Sequence, residues 1–364
     1  MALQCGIVGL PNVGKSTLFN CLSSAKAESA NYPFCTIEPN IGIITVPDER
    51  LERISDLVNP QKIVPTTVEI VDIAGLVKGA SKGEGLGNQF LGNIKNTNAI
   101  LHVVRCFDDE NITHVDVTID PVRDKEIIDI ELQFKDLEAI EAKIAKVKKL
   151  ADSGNKESKA IYDVANTIRE VLIQGKSVRT VEMEETKWEL VKDLNLITAK
   201  PVLYVCNVDD ASVVSGNHHT KAFIDSVKDE NAQVMFVSAE IESDMIEMEE
   251  EDKKMFLEDM GLEESGANRI IKEAYKLLKY ATYFTAGEKE VRAWTITKGF
   301  TAPQAAGVIH TDFEKGFIRA EVIAYNDYIE LGSEAKCREA GKLRVEGKEY
   351  IVKDGDMMHF RFNV

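Results

Sequence analysis

The stretch Gly9-Leu10-Pro11-Asn12-Val13-Gly14-Lys15-Ser16 fits the pattern G-x-x-x-x-G-K-[ST] and constrains this chain more than any other feature. Such a loop turns backbone N–H groups inward around the phosphates of a nucleotide. It works only between a strand and a helix. The apolar run Leu3-Gln4-Cys5-Gly6-Ile7-Val8 precedes it, and Thr17-Leu18-Phe19-Asn20-Cys21-Leu22, apolar at helical spacing, follows it. The helix N-terminus contributes its own unpaired donors and the positive end of its dipole. In this pattern Lys15 reaches the β- and γ-phosphates and the Ser16 hydroxyl ligates Mg²⁺. Asn12, Val13, Gly14 and Thr17 complete the expected phosphate contacts. The loop therefore points to a nucleoside triphosphate.

The rest of the chain must supply strands for a sheet around that loop. Ile41 to Val46, Thr66 to Asp72, Ala99 to Phe107, Pro201 to Cys206 and Gln233 to Val237 read as buried strands among helical segments. That alternation predicts a mostly parallel sheet with helices on both faces. Between the third and fourth of these strands the pattern changes. From Glu126 to Leu150, Ile130, Phe134, Leu137, Ile140, Ile144 and Val147 recur every three or four residues. Ser153-Gly154-Asn155 interrupts, and the stripe resumes at Ile161, Val164, Ile168 and Val171. Two long helices joined by a tight turn predict an antiparallel hairpin whose apolar seam closes on itself, with a first arm roughly 35–40 Å long. From Thr282 onward short β-type runs surround one helical segment, Ala302 to His310, which predicts a separate compact domain.

At 364 residues the chain is long enough for two or three domains. Its formal charge of −17 argues against a broad basic surface that coats nucleic acid, so DNA is not an expected partner. No apolar stretch has the length of a membrane span, and the N-terminal run leads directly into the phosphate loop. The cysteines are scattered without C-x-x-C or zinc spacing, which fits buried free thiols and a cytoplasmic setting.

Hydrolysis requires more than the loop. Asp72 ends a strand expected beside the one feeding the loop, and is the candidate metal carboxylate. Gly75, completing Asp72-Ile73-Ala74-Gly75, brings a bare backbone N–H to the γ-phosphate. Thr36, in the proline-bounded stretch Asn31 to Asn40, is the candidate second hydroxyl on Mg²⁺. Base recognition is expected at Asn207-Val208-Asp209-Asp210 and at Ser238-Ala239-Glu240. The guanine-reading pattern is N-K-x-D, and here Val208 stands where the lysine would be.

Taken in order, Gly9 to Ser16, Asn31 to Asn40, Asp72 to Val77, Gly83 to Asn88, Ala305 to Phe313 and Asp354 to Phe360 resemble the YchF family of Obg-like ATPases, across essentially the whole chain. The resemblance implies an α/β P-loop NTPase domain (1–124 and 199–281), an inserted coiled-coil helical hairpin (125–198) and a C-terminal ubiquitin-like, β-grasp TGS domain (282–364). It also implies ATP preferred over GTP, Mg²⁺ as cofactor, and ribosomes or ribosomal RNA as partner. One position departs: the family usually carries N-x-x-E at the base-reading loop, and this chain has Asp210. An aspartate there can accept guanine's paired N–H groups, which keeps a GTPase of the Obg type as an alternative.

The water-orienting glutamine of Ras-like enzymes is replaced by Leu76, so another group must act or turnover is slow. His114, following a strand whose end faces the nucleotide, is the candidate. Asn12 is a candidate ligand for a monovalent cation beside the phosphates. His102, inside an apolar strand, is expected to be a hydrogen-bonded core residue. Lys289, Arg292, Lys298, Lys315 and Arg319 offer positive charge in the last domain, where RNA contact is expected. A different class also fits: a nucleotide-gated binding protein in which hydrolysis is incidental.

Overall fold

The computed structural model describes residues 4–24, 41–73, 86–112, 118–230 and 232–363. Among them twelve strands follow one another: β1 (Gln4–Val8), β2 (Ile41–Thr45), β3 (Ile63–Val64), β4 (Thr67–Asp72), β5 (Ala99–Arg105), β6 (Val202–Asn207), β7 (Gln233–Val237), β8 (Tyr280–Ala286), β9 (Val291–Thr297), β10 (Phe317–Ala324), β11 (Arg344–Glu346) and β12 (Asp356–Phe362). By packing they fall into two units. One gathers the described residues of Met1–Ser24, Glu38–Gly42 and Glu69–Ile270, the other those of Ile43–Val68 and Ile271–Val364.

The first unit is built on a sheet of order β2-β4-β1-β5-β6-β7. From β4 to β7 every neighbouring pair is parallel. β5 and β6 are buried along their whole length, as unbroken apolar runs require when helices cover both faces. The chain starts at β1 in the middle and builds outward in both directions, so the order reverses beside β1. Ligands of open parallel sheets bind at that switch point, beyond the carboxyl ends of the strands.

The predicted hairpin is present within this unit. Its first helix, Pro121–Asp152, begins with Asp120 accepting from the amides of Val122 and Arg123, each at 3.1 Å. Asn155 caps the second, Lys156–Ile173, by accepting from the Ser158 amide at 2.9 Å. The first helix starts earlier than its apolar stripe, and its 32 residues span about 48 Å. The seam differs from the expected one. Ile140, Val164, Ile168 and Leu172 form it together with Val178, Val191 and Leu196, so the connection after the hairpin closes it as a third layer. Ile130 and Phe134 lie outside, 49% and 45% exposed, while Ile128 and Leu132 turn inward. The buried carboxylate of Asp136 fastens the third layer by accepting from the Ile197 amide, the Thr198 amide and the Thr198 hydroxyl, all at 2.7 Å.

The second unit is a mixed sheet of order β11-β10-β12-β8-β9-β3. Alternation along β8 sends Tyr283 to one face and Phe284 to the other. On the Tyr283 side, Ala302, Ala305 and Ala306 of the helix Ala302–Ile309 allow close approach, and the Tyr283 hydroxyl donates to the Ala305 carbonyl at 3.0 Å. The opposite face is covered by Leu51 and Ile54 of the helix Glu49–Val58. β3 extends the same sheet, pairing parallel with β9 through Ile63–Val291 and Val64–Arg292. The helix Glu49–Val58 and β3 therefore pack with the C-terminal unit, whereas the sequence assigns them to the nucleotide-binding domain. The units also part at Ile270, inside the helix Gly266–Leu277, rather than after residue 281.

Candidate phosphate-binding site

Five parallel strands bring their C-terminal ends to one edge of the first unit, and the candidate residues follow directly from them. β1 leads into the loop Gly9–Gly14, and the helix Lys15–Ser24 begins at its far end. Asn12 and Gly14 both take left-handed backbone angles, φ 62° and 92°. A Cβ on Gly14 would overlap the Asn207 side-chain nitrogen, and one on Gly9 would stand 2.7 Å from the Val103 carbonyl oxygen. Both glycines are thus required by space, and at Gly14 by conformation as well. The Ser16 and Thr17 side chains at the helix start are exposed.

Lys15 is buried, and its ammonium pairs with a carboxylate oxygen of Asp72 at the end of β4. The group expected on the phosphates and the group expected on the metal therefore lie together. Hydroxyl and carboxylate oxygens at the positive end of a helix are the hard donor set that Mg²⁺ takes alongside phosphate oxygens. With the glycine-only cradle beside them, the residues present fit a Mg²⁺–nucleotide.

Asn207, 3% exposed at the end of β6, ties three loops together. Its amide nitrogen donates to the Val13 carbonyl at 3.0 Å, and its oxygen accepts from the Ala239 amide at 2.9 Å. Val208 is buried, and its amide donates to the Val237 carbonyl at 3.0 Å. Asp210 is exposed and accepts from the Ser238 hydroxyl at 2.7 Å; the same hydroxyl caps the next helix by accepting from the Ile241 amide at 3.2 Å. The fold thus brings Asn12 to Thr17, Asp72, Asn207, Val208, Asp210, Ser238 and Ala239 to one edge. Thr36, Gly75 and His114 lie outside the described residues, as does Cys35.

Sequence reasoning passed over Arg105, the last residue of β5. It is fully buried and donates to the carbonyls of Phe107 (3.2 Å), Asp109 (3.0 Å) and Ile112 (2.9 Å), with its guanidinium 4.6 Å from the Phe107 ring centre. A cation ending an otherwise apolar strand was the available signal. Its bonds shape the loop that leads toward His114. His102 is buried as expected, but its Nε2 has no hydrogen-bond partner. Burial, aided by the Lys125 and Arg179 charges, pushes its imidazole down to about 3, so the ring is neutral. Cys5, Cys21, Cys106, Cys206 and Cys337 are buried free thiols. A hydrogen bond with Cys206 and burial push the Cys106 thiol up, which leaves it protonated beneath the site.

A family model described as 50S ribosome-binding GTPase matches residues 4–147, and one for the C-terminal domain of YchF GTPases, described as a protein of unknown function, matches 280–363. The chain is 55% identical to the ribosome-binding ATPase YchF of Bacillus subtilis over 366 residues, covering all of both chains. It is 50% identical to the protein of the same name from Escherichia coli O157:H7 over 368 residues, again covering both completely. The chain belongs to the YchF family. A solved member, the Schizosaccharomyces pombe YchF GTPase, superposes with a TM-score of 0.89 at 37% identity, covering 99% of this chain and 98% of that one. The two-unit architecture is therefore the YchF fold, with a P-loop GTPase domain and the YchF C-terminal domain.

Proposed function

We propose that this chain is an ATP-binding, slowly ATP-hydrolysing switch that associates with the ribosome. The observation that carries the reading is the glycine-only cradle at Gly14, locked by Asn207 and adjoining the Lys15–Asp72 pair. The relatives that match along the full length are named ribosome-binding ATPases, which supplies the base and the partner.

Lys15 binds the β- and γ-phosphates, with the amides of Asn12, Val13, Gly14 and Thr17 around them. Ser16, Thr36 and Asp72 hold Mg²⁺, which when bound neutralises charge that develops on the phosphates. Engaging phosphate would draw Lys15 from its present partner Asp72 and leave that carboxylate free to help hold the ion. Gly75 senses the γ-phosphate, and His114 orients the attacking water. Asn12 offers an oxygen to a monovalent cation. Asn207, Val208, Asp210, Ser238 and Ala239 form the base pocket. Burial of Val208 supports adenine, because that position extends no cation over the base loop. The Ser238 hydroxyl on Asp210 favours the second reading, guanine, since it fixes a carboxylate at the position from which guanine readers accept.

Equilibrium titration with non-hydrolysable ATP and GTP analogues in Mg²⁺ decides the base. Adenine preference supports the ATPase; guanine preference transfers the role to Asp210. Binding of neither overturns the phosphate-loop assignment. Sedimentation with ribosomes in each nucleotide state tests the partner.

A further inference from the structure

We propose that Asp108, His218 and His219 form a binding site for a borderline divalent transition ion, with Zn²⁺ the best suited, separate from the Mg²⁺–nucleotide site. Their ligand atoms all lie within 4.8 Å of one another. Two imidazole nitrogens and a carboxylate oxygen select Zn²⁺, Co²⁺ or Ni²⁺ over Mg²⁺, which prefers oxygen donors alone.

The geometry is close to what such an ion needs. With ligand bonds of about 2.0–2.2 Å, neighbouring donors on a tetrahedral Zn²⁺ stand about 3.3–3.6 Å apart. The Nε2 of His219 already lies 3.3 Å from Asp108 Oδ1 and 3.4 Å from Oδ2. That contact is longer than a well-made charged hydrogen bond and is shared between both oxygens. The rings of His218 and His219 are 3.9 Å apart between centres and inclined by 37°, so the exposed His218 must turn away from this stack to bring a ring nitrogen to the third position. Three protein donors leave one tetrahedral position for water.

Both supports of the site are held independently of any ion. His218 and His219 open the helix His218–Val227, whose capping box is made by Asn217 and Thr220. Asn217 also donates to the Cys106 carbonyl at 2.7 Å, joining that helix start to the end of β5. On the other side Arg105 fixes the loop carrying Asp108 through the three carbonyls already described. An ion here bridges the loop after β5 to the helix after β6. The helix N-terminus opposes a cation, which makes the affinity moderate rather than structural.

The test is titration of the full-length, untagged protein with Co²⁺ in excess Mg²⁺ and without nucleotide, followed by Zn²⁺ competition. Saturable uptake of one equivalent, with a cobalt visible band that Zn²⁺ abolishes, is expected. Asp108→Asn and His218→Gln alter exposed side chains and should keep the thermal transition. Each should weaken binding by roughly tenfold or more, at least the loss that outer-sphere changes cause. Binding that is absent, or unchanged in both variants, overturns the assignment. Should a variant melt early, paramagnetic broadening of imidazole signals by Co²⁺ in the wild-type proton spectrum decides: two histidines must be affected together.

Discussion

Gly14 and Asn207 occupy adjoining space so closely that a methyl group on the one displaces the other. Gly14→Ala therefore has two consequences: strain at a φ of 92°, and loss of the Asn207 bond to Val13. A cost of about 2–4 kcal/mol in stability is expected, together with loss of nucleotide binding by more than about tenfold. Chemical denaturation and analogue titration read the two effects, and an alanine variant with unchanged affinity would contradict the cradle. His102 makes a second prediction at this scale. The unfolded chain takes a proton on this ring near 6.5, whereas the folded protein refuses it down to about 3. Below pH 6.5 the unfolded state thus binds more protons, and stability falls as pH falls, by about 2 kcal/mol at pH 5. His102→Phe should remove that share of the acid limb. If the difference between wild type and variant is the same at pH 7 and pH 5, the ring is not held neutral. The phosphate loop was legible in the sequence because its chemistry is backbone geometry written in consecutive residues. The role of Asn207 as a tie between three loops was not, since its partners lie 194 and 32 positions away.

At the scale of elements, the hairpin shows what periodicity conveys and where it stops. The spacing of Ile130, Phe134, Leu137 and Ile140 announces a helix, and a helix forms. The same spacing cannot say which neighbours will cover each turn. Near the start of the helix the covered face belongs to Ile128 and Leu132, and the seam shared with the second arm is reached only farther along. The third layer depends on a carboxylate, Asp136, reaching amides about sixty positions later, which no apolar pattern records. Alanine substitutions separate the two stretches of the stripe. Ile140→Ala empties a fully buried site and should cost about 2–4 kcal/mol. Ile130→Ala removes a half-exposed side chain and should cost under about 1 kcal/mol. Equal losses in denaturant melts would mean that the stripe is buried throughout.

For the whole molecule, the decisive feature is where residues 49–64 go. Thr36 and Asp72 bracket this segment in the chain, yet its helix and its strand β3 are components of the C-terminal sheet. A two-residue strand and a ten-residue helix carry no sequence mark of the sheet they will join, so this allegiance emerges only from packing. The attachment is specific. Arg50 donates to Asp48 at 2.9 and 2.8 Å and to Asp354 at 2.7 Å, with its guanidinium 5.2 Å from the Phe284 ring centre. The other oxygen of Asp354 accepts from the Thr282 amide at 2.7 Å. If nucleotide acts at Thr36 and Asp72 as proposed, the stretch of chain between those two positions contains the helix and strand that belong to the C-terminal sheet. Hydrogen exchange with and without an ATP analogue and Mg²⁺ reads whether the anchor responds. Exchange is expected to change in Glu49–Val58 and in β8 as well as around Lys15 and Asp72. Arg50→Ala removes the guanidinium from two carboxylates and should confine the change to the nucleotide-binding unit, with ATP affinity within about threefold of wild type, because Arg50 is not among the proposed phosphate-binding residues. A wild-type response limited to residues 4–24 and 69–112 would show instead that the segment between the two motifs is a passive connection, and that any report to a partner must leave through the hairpin.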